Sequence, residues 1–159
     1  FFFEAKGQKV EFVICGDGGS SAQIRQLLQG LPNVHLSGWI DRPQIEALAQ
    51  RSHAALAPYK NADGFIRSIP NKIIDALSLQ LPILSSLQGE VKQLIEQHDV
   101  GLHYDTASGR TLQDCVQFLM GEKEKHLQMR QNAALLYSDQ FSFEKVYGRL
   151  VEHLEHVAL

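Results

Sequence analysis

Lys72 places a positive charge in the first turn of a predicted helix, where a positive charge is unfavourable. A helix is predicted to begin near Pro70, since proline suits the first helical position, where its missing N–H would be unpaired anyway. The apolar residues at helical spacing are Ile73, Ile74, Leu77 and Leu81. A lysine in the first turn opposes the positive end of the helix dipole, roughly half a unit charge. Together with the free N–H groups of the preceding loop, this lysine predicts an anion site, with phosphate as the favoured anion.

Asp75 lies three residues after Lys72 and shares a helix face with it. The two could divide a nucleotide between them, with the ammonium on phosphate and the carboxylate on ribose hydroxyls, at roughly 1.5–3 kcal/mol for each charge-assisted hydrogen bond. An exposed ion pair worth roughly a few tenths of a kcal/mol is the alternative, and the residues alone leave both open. Arg67, in the loop before this helix, could bind an anion bidentately or remain solvated.

A glycine-rich turn, Gly16-Asp17-Gly18-Gly19, follows the apolar run 10–15. Such turns between a strand and a helix let a phosphate approach the backbone closely. A dinucleotide fingerprint needs a third glycine, and Ser21 stands there instead, so a plain tight turn is the alternative.

The seven histidines raise the question of a metal site. His153 and His156 are three residues apart on the last predicted helix and could chelate a metal, but the sequence offers no third ligand. We therefore predict no metal. The sequence contains neither a Cys–His pairing nor a Gly-x-Ser-x-Gly elbow, so it does not indicate nucleophilic catalysis.

Short apolar segments alternate with helical patterns and must position these residues. Strands are predicted at 10–15, 34–40, 53–57, 82–86 and 100–104, and helices at 20–29, at 43–51, from Pro70 and at 90–97. After Asp105 only helices are predicted, at about 109–120, 122–139 and 142–157. This order predicts an α/β fold: a Rossmann-like parallel sheet with right-handed crossovers, flanked by helices, and a helical C-terminal segment. We assign residues 1–107 to the core and 108–159 to C-terminal helices of the same domain.

Ligands of parallel sheets bind outside the carboxyl ends of the strands. Four predicted loops share that edge, at 16–19, 38–40, 58–69 and 85–89. Their convergence predicts one ligand site.

In the helix at 122–139, the apolar residues expected to pack are Leu127, Ala134, Leu135 and Tyr137.

The bulk composition excludes several classes of partner. A net charge of −3 argues against nucleic acid or an anionic membrane. No run approaches the roughly 18 apolar residues of a membrane-spanning helix. Two cysteines, Cys15 and Cys115, favour a reducing compartment without a disulfide framework. The opening residues 1–7 lack an initiator methionine and have the composition of a helix interior, so we expect a fragment excised from a longer protein.

Six stretches, in order, carry a resemblance to a known family. They are residues 12–18, 33–40, 54–59, 69–84, 100–104 and 140–147, and they extend over nearly the whole chain. At these stretches the chain resembles the C-terminal, donor-binding half of the GT-B fold glycosyltransferases, in particular the retaining family called group 1 or family 4. The resemblance implies binding of a nucleotide-diphospho-sugar such as a UDP-sugar, with no cofactor and no metal.

The resemblance also implies roles for individual residues. Lys72 would contact the diphosphate and stabilise its departure, and Asp75 would bind the ribose hydroxyls. Arg67 is a second catalytic candidate because of its own charge, not because of the resemblance. The complete nucleotide-sugar-binding set is Gly16, Asp17, Gly18, Gly38, Trp39, Ile40, Ser68, Ile69, Asn71, Lys72 and Asp75. Within it, the corner 38–40 would meet the base edge through its backbone, Gly16 and Gly18 would line the cleft, and the amides at 68–69 would approach phosphate or sugar.

Two positions depart from the family pattern, which commonly has glutamates eight residues apart. Asp75 is one methylene shorter than glutamate, and Arg67 removes the acidic contact to the donor sugar. The segment 70–75 is similar to a Pro-x-Lys-x-x-Glu version found in part of the family. The family's leading strand and the basic pair after it do not appear before residue 12, so a truncated donor domain is expected.

The resemblance implies a parent enzyme that transfers a sugar to a glycan or lipid-linked acceptor in polysaccharide biosynthesis. An N-terminal acceptor domain of the same parent would be the partner, and the terminal helices would cross back to it, which leaves an apolar stripe exposed in the excised chain. A cytoplasmic location is expected, with the parent peripheral at the inner membrane face. The alternatives are a nucleotide-sugar epimerase or sugar-phosphate synthase on the same fold, and a non-catalytic α/β binding module.

Overall fold

The computed structural model describes residues 4–5, 8–105 and 109–157. The strands are β1 Glu4–Ala5, β2 Gln8–Lys9, β3 Phe12–Cys15, β4 Val34–Gly38, β5 Ala55–Ala57, β6 Ile83–Ser85 and β7 Gly101–His103. The helices are α1 Ser21–Leu27, α2 Arg42–Arg51, α3 Asp63–Ile66, α4 Asn71–Ser78, α5 Glu90–His98, α6 Leu112–Gly121, α7 Lys123–Leu136 and α8 Phe143–Val157. A π-helical turn, Tyr137–Phe141, separates α7 from α8. The chain divides into two compact units, Phe1–Leu48 and Ala49–Leu159.

The first unit contains the parallel pair β3–β4. Phe12 lies opposite Val34, and the register shifts after Ile14 so that Cys15 lies opposite Gly38. Asn33, which is buried, donates from Nδ2 to the Val10 carbonyl at 2.9 Å and so fixes the entrance to β4. The predicted strands at 10–15 and 34–40 are confirmed, with shorter bounds.

The prediction of a helical interior for residues 1–7 is wrong where the structure describes them. β1 and β2 pair antiparallel, with Glu4 opposite Lys9 and Ala5 opposite Gln8. Glycine at position 7 disfavours a helix by about 1 kcal/mol relative to alanine. A stretch this short cannot recover that cost through its own hydrogen bonds.

The second unit is built on a parallel sheet with the order β5-β6-β7. Ala57 lies opposite Ser85, and Ser85 lies opposite His103, so the three strands end together. The helices bury apolar faces against this sheet; the buried cluster is Ala57, Ile73, Ala76, Leu77, Ile83, Leu87, Val91, Leu94, Ile95, Val100, Ala133 and Leu136. Hydrogen bonds among the described strands thus define two parallel sheets, of two and three strands, where the sequence predicted one.

All seven predicted helices are present, and three local details differ. Pro70, with φ −63° and ψ 146°, is the residue before α4 and not its first helical residue. Ser20 makes no capping hydrogen bond with its side chain at α1; instead the Ser21 hydroxyl accepts from the Gly18 N–H at 2.7 Å. The loop at 58–69 contains a short helix, α3, that the sequence analysis did not predict.

The C-terminal helices differ in how well they are packed. α7 buries Met129, Ala133 and Leu136, whereas Leu127 and Leu135 are 56% and 61% exposed. The predicted packing face of α7 is therefore wrong for these two leucines. Helix α8 has no buried residue and carries a row of exposed apolar side chains.

Both cysteines are free, and they differ in environment. Cys15 is exposed at the end of β3, whereas Cys115 is fully buried in α6. Over the ranges that the structure describes, no helix is long and apolar enough to cross a bilayer, and no cluster of three or more acidic, histidine or cysteine side chains could hold a metal ion.

Candidate functional site

Helix α4 presents its first turn to solvent because its opposite face is anchored in the core. Ile73, Ala76 and Leu77 are buried, and Ile73 and Leu77 are fully so. No side chain caps the helix at Pro70, whose carbonyl accepts a hydrogen bond from the Ile73 N–H at 2.9 Å. The N–H groups of Asn71 and Lys72 have no partner among the described residues and are left to water or to a ligand.

Lys72 and Asp75 both lie on the exposed side of α4. Among the residues described, no ion pair joins them, and no acidic group pairs with Lys72. The alternative of a surface ion pair between Lys72 and Asp75 thus receives no support. An uncompensated ammonium beside uncapped N–H groups is an arrangement suited to an anion.

Tyr59 borders Asp75, and the sequence analysis did not single it out. Burial, and then the Asp75 carboxylate, raise the pKa of the Tyr59 hydroxyl above its usual value. The Tyr59 ring is tilted against Phe65, with ring centroids 5.2 Å apart, and packs on the buried cluster. A tyrosine two residues after a buried strand was the available signal, but nothing in the sequence placed it near Asp75.

The residues between α3 and α4 are partly engaged within their own loop. The Ser68 hydroxyl donates to the Gly64 carbonyl at 2.9 Å, and the Ser68 N–H donates to the Phe65 carbonyl at 3.3 Å. Ile69 packs against the core, while Asn71 is exposed. Because the amide of Ser68 has a weak internal partner, it could approach a ligand only by giving up that bond.

Arg67 is exposed at the end of α3. Within the described part of the chain it has no carboxylate partner at ion-pair distance. The second unit thus carries two solvent-facing cations, Arg67 and Lys72, that flank the start of α4.

The glycine turn of the first unit borders a cavity of about 200 Å³. The residues that line it are Ile14, Cys15, Gly16, Asp17, Gly18, Ser20, Ser21, Ile24, Arg25 and Leu36. Gly16, Asp17 and Gly18 of the predicted set are among them; Gly38, Trp39 and Ile40 are not. The volume is below the roughly 300 Å³ of a small-ligand pocket, so the cavity could hold only part of a nucleotide.

Backbone geometry at the two glycines of this turn supports close approach. Gly16 has φ +138° and donates its N–H to the carbonyl of Gly38, which has φ +73°, at 2.7 Å. Apart from the glycine and its chain neighbours, no heavy atom of the described residues lies within 4 Å of the position a Cβ would take at Gly16 or Gly18. Trp39, which follows, is 76% exposed. Arg25 is a cation lining the cavity that sequence reasoning missed.

The second unit has another shallow cavity, of about 210 Å³, that no predicted site residue lines. It is bordered by Ile95, Glu96, Asp99, Gly101, Leu102, His103 and Arg110. Burial, and then the Lys92 ammonium, lower the pKa of His103, against opposing effects of the Ser86 backbone, Glu96 and Asp105. Its Nε2 is buried without a hydrogen-bond partner among the described atoms.

A family model matches most of the chain. Residues 3–122 match the family described as glycosyl transferases, group 1. No curated protein gives a significant sequence match.

Two solved structures share the fold. One is WaaG, a glycosyltransferase involved in lipopolysaccharide biosynthesis, with a TM-score of 0.64 and 16% identity over 86% of this chain. The other is HepE (Alr3699) of Anabaena in complex with UDP, with a TM-score of 0.72 and 20% identity over 92% of this chain. The chain spans 36% of the first protein and 41% of the second. These likenesses confirm the predicted fold class, an α/β fold with parallel strands and flanking helices, as in the GT-B glycosyltransferases.

Proposed function

Because the chain belongs to the group 1 glycosyl transferases, we propose that it is the part of a retaining, metal-independent glycosyltransferase that binds the nucleotide-diphospho-sugar donor. The observation that carries this proposal is Lys72: an exposed ammonium, without an acidic partner among the described residues, at the uncapped start of a helix whose other face is fixed in the core.

This arrangement of charges would assist the chemistry of sugar transfer. As the bond from sugar to diphosphate breaks, negative charge develops on the leaving diphosphate. Preorganised cations and N–H groups aimed at such charge lower the barrier, because they need no reorganisation at the moment of reaction. Lys72 and the first-turn amides of α4, including that of Asn71, would receive this charge. Arg67 is the second cation proposed to act there.

The remaining members of the set are proposed to hold the rest of the donor. Asp75 would bind the ribose hydroxyls, and the amides at 68–69 would bind phosphate or sugar. In the first unit, Gly16, Asp17 and Gly18 would face the ligand, and the corner Gly38-Trp39-Ile40 would meet the base through its backbone. The open space beside Gly16 and Gly18 supports this assignment.

The two structural neighbours guide the choice of substrate. HepE was crystallised with UDP, which makes UDP the first nucleotide to test. WaaG acts in lipopolysaccharide biosynthesis, which supports a glycan or lipid-linked acceptor for the parent protein. Since the chain spans well under half of either neighbour, we propose an acceptor domain elsewhere in the parent, and a chain that binds donor weakly and transfers nothing alone. The two free cysteines favour a cytoplasmic location.

Titration calorimetry of the chain with UDP, GDP and ADP tests the proposal. Lys72→Ala should weaken the tightest of the three by roughly 10- to 150-fold, because it removes a charge-assisted contact worth roughly 1.5–3 kcal/mol. A metal chelator should leave the affinity unchanged.

Lys123→Ala is the matched control, since Lys123 is also an exposed lysine in the first turn of a helix, α7. It should bind as the wild type does. Absence of binding by all three nucleotides, or an unchanged affinity in Lys72→Ala, would refute the site assignment.

A further inference from the structure

Asn61 makes two hydrogen bonds to the segment that follows β6. Its Nδ2 donates to the Ser86 carbonyl at 3.2 Å, and its Oδ1 accepts from the Gln88 N–H at 2.7 Å. Asn61 itself lies in the connection between β5 and α4. β5 and β6 stop pairing at Ala57 and Ser85. Beyond the ends of both strands, the Asn61 side chain supplies hydrogen bonds that link the two segments.

The segment to which Asn61 is hydrogen-bonded is itself held by buried contacts. The Ser85 hydroxyl is fully buried, donates to the Ala57 carbonyl at 2.8 Å and accepts from the Leu87 N–H at 3.2 Å. Gln88 reaches the segment that follows β7, where its Nε2 donates to Asp105 Oδ2 at 3.4 Å. Asn61 is thus fastened to a segment that the core and the neighbouring strand hold in place.

A second contact joins the same two segments. Gly89 has φ +72°, and a Cβ built on it would lie 2.0 Å from the Ile66 carbonyl oxygen. Only glycine allows this approach, so the end of α3 rests directly on the backbone at 89. Residues 67–69 follow Ile66 immediately and lead into α4.

The connection between β5 and α4 depends on such contacts for its order. Most of its side chains are exposed, and α3 has four residues, far fewer than a helix needs to be stable alone. Tyr59, Ile66 and Ile69 pack on the buried cluster, but the stretch 60–65 between them is exposed. Such a stretch samples many conformations unless hydrogen bonds to a fixed element restrain it.

We propose that Asn61 is a positioning residue: its two hydrogen bonds hold the connection 58–69 in the conformation that leaves the first turn of α4 open to the donor. The proposal rests on the donor-binding function proposed above. It predicts that Asn61 governs affinity without touching the ligand.

Asn61→Ala should weaken binding of the tightest of UDP, GDP and ADP by between about twofold and tenfold in titration calorimetry, the range expected for one neutral hydrogen bond. Asn132→Ala is the matched control. Asn132 also donates one hydrogen bond, to the Asp99 carbonyl at 3.1 Å, and accepts one, from Gln128 at 2.9 Å, and it lies on α7. The control should lose a similar amount of stability and no affinity.

Amide hydrogen exchange provides a readout that does not depend on binding. In Asn61→Ala, the Gln88 N–H and the amides of residues 58–69 should exchange faster, because the bond to Oδ1 is gone. The amides of α6 should be unaffected. Asn132→Ala should leave residues 58–69 and Gln88 as they are in the wild type.

The outcomes separate the two proposals. If Lys72→Ala weakens binding and Asn61→Ala does not, the donor site stands and the positioning role is refuted. The positioning role is also refuted if Asn132→Ala weakens binding as much as Asn61→Ala, since the effect would then be general destabilisation. If the wild type binds none of the three nucleotides, the donor site fails and the positioning role fails with it, whatever the exchange rates show.

Discussion

Thr111 and Asp114 form a reciprocal cap at the start of α6. The Thr111 N–H donates to Asp114 Oδ2 at 2.7 Å, its hydroxyl donates to the same oxygen at 2.8 Å, and the Asp114 N–H donates back to that hydroxyl at 3.1 Å. The backbone hydrogen bond from Thr111, followed by the one from its side chain, lowers the pKa of Asp114 below 3.8. The ionised carboxylate is therefore the form that stabilises the folded chain.

A pH dependence of stability follows from the direction of this shift. A carboxyl group whose pKa is lower in the folded state adds stability above its unfolded pKa, and this stability is lost as the pH falls through the folded value. The wild type should therefore exceed Asp114→Asn in free energy of unfolding near pH 6. The difference should shrink once the pH falls below about 3.8. Urea unfolding at several pH values measures it.

Asp139→Asn serves as the control, because it removes one exposed carboxylate elsewhere. A difference between wild type and Asp114→Asn that stayed constant from pH 6 to pH 3 would contradict the proposed origin of the shift.

Some residues of the candidate site could be predicted from the sequence, and others could not. Lys72 was found because its charge conflicts with the helix dipole, a conflict that the sequence displays by itself. Tyr59 and Asn61 were missed because their importance lies in partners at Asp75, Ser86 and Gln88. Such partners depend on the path of the connection, and residue types do not determine that path. The assignment of donor contacts to the predicted residues stays a prediction.

At the scale of elements, strands and helices were predicted well where burial enforces a strong pattern. β6 and α4 lie against the core, and their apolar spacing leaves one solution. Helix α7 was different: its leucines at 127, 135 and 136 point in different directions around the helix axis, so the sequence defined no single apolar face. Packing selected Met129, Ala133 and Leu136. The strand pair β1–β2 and the four-residue α3 were not predicted because elements so short carry almost no periodicity.

Adjacent leucines of α7 test this packing. Leu136 is 5% exposed and belongs to the core cluster, whereas Leu135 is 61% exposed. Leu136→Ala should lower the free energy of unfolding by roughly 2–5 kcal/mol, the cost of a buried leucine and the cavity it leaves. Leu135→Ala, the same chemical change one position away, should cost less than about 0.5 kcal/mol. Denaturant unfolding of both variants measures the two losses, and equal losses would contradict the assigned face.

At the scale of the whole molecule, α8 is the feature that lacks a partner among the described residues. Its exposed apolar side chains are Phe143, Val146, Tyr147, Leu150, Val151, Leu154 and Val157, each between 45% and 67% exposed. They lie along one side of the helix at the spacing that a buried stripe requires. The expected exposed stripe is confirmed for this chain; its docking to an acceptor domain of the parent protein stays a prediction.

The stripe should bind a dye that fluoresces in apolar surroundings. We expect clear enhancement with the wild type under folding conditions, since contiguous exposed apolar surface of this kind is uncommon on monomers. The double variant Leu150→Gln, Leu154→Gln should reduce the enhancement with little change in stability, because both side chains are about half exposed already. A wild type that is monomeric and shows no enhancement would count against the stripe.

The two cysteines allow the opening of the second unit to be followed in the unaltered chain. A maleimide should modify Cys15 at once, since its thiol is exposed in the first unit. Cys115 is buried in the second unit, and burial raises the pKa of its thiol, so it should react only when that unit opens. Labelling stoichiometry should therefore be one at low denaturant and two after the second unit unfolds. The chain thus carries its own reporter of the opening of its second unit.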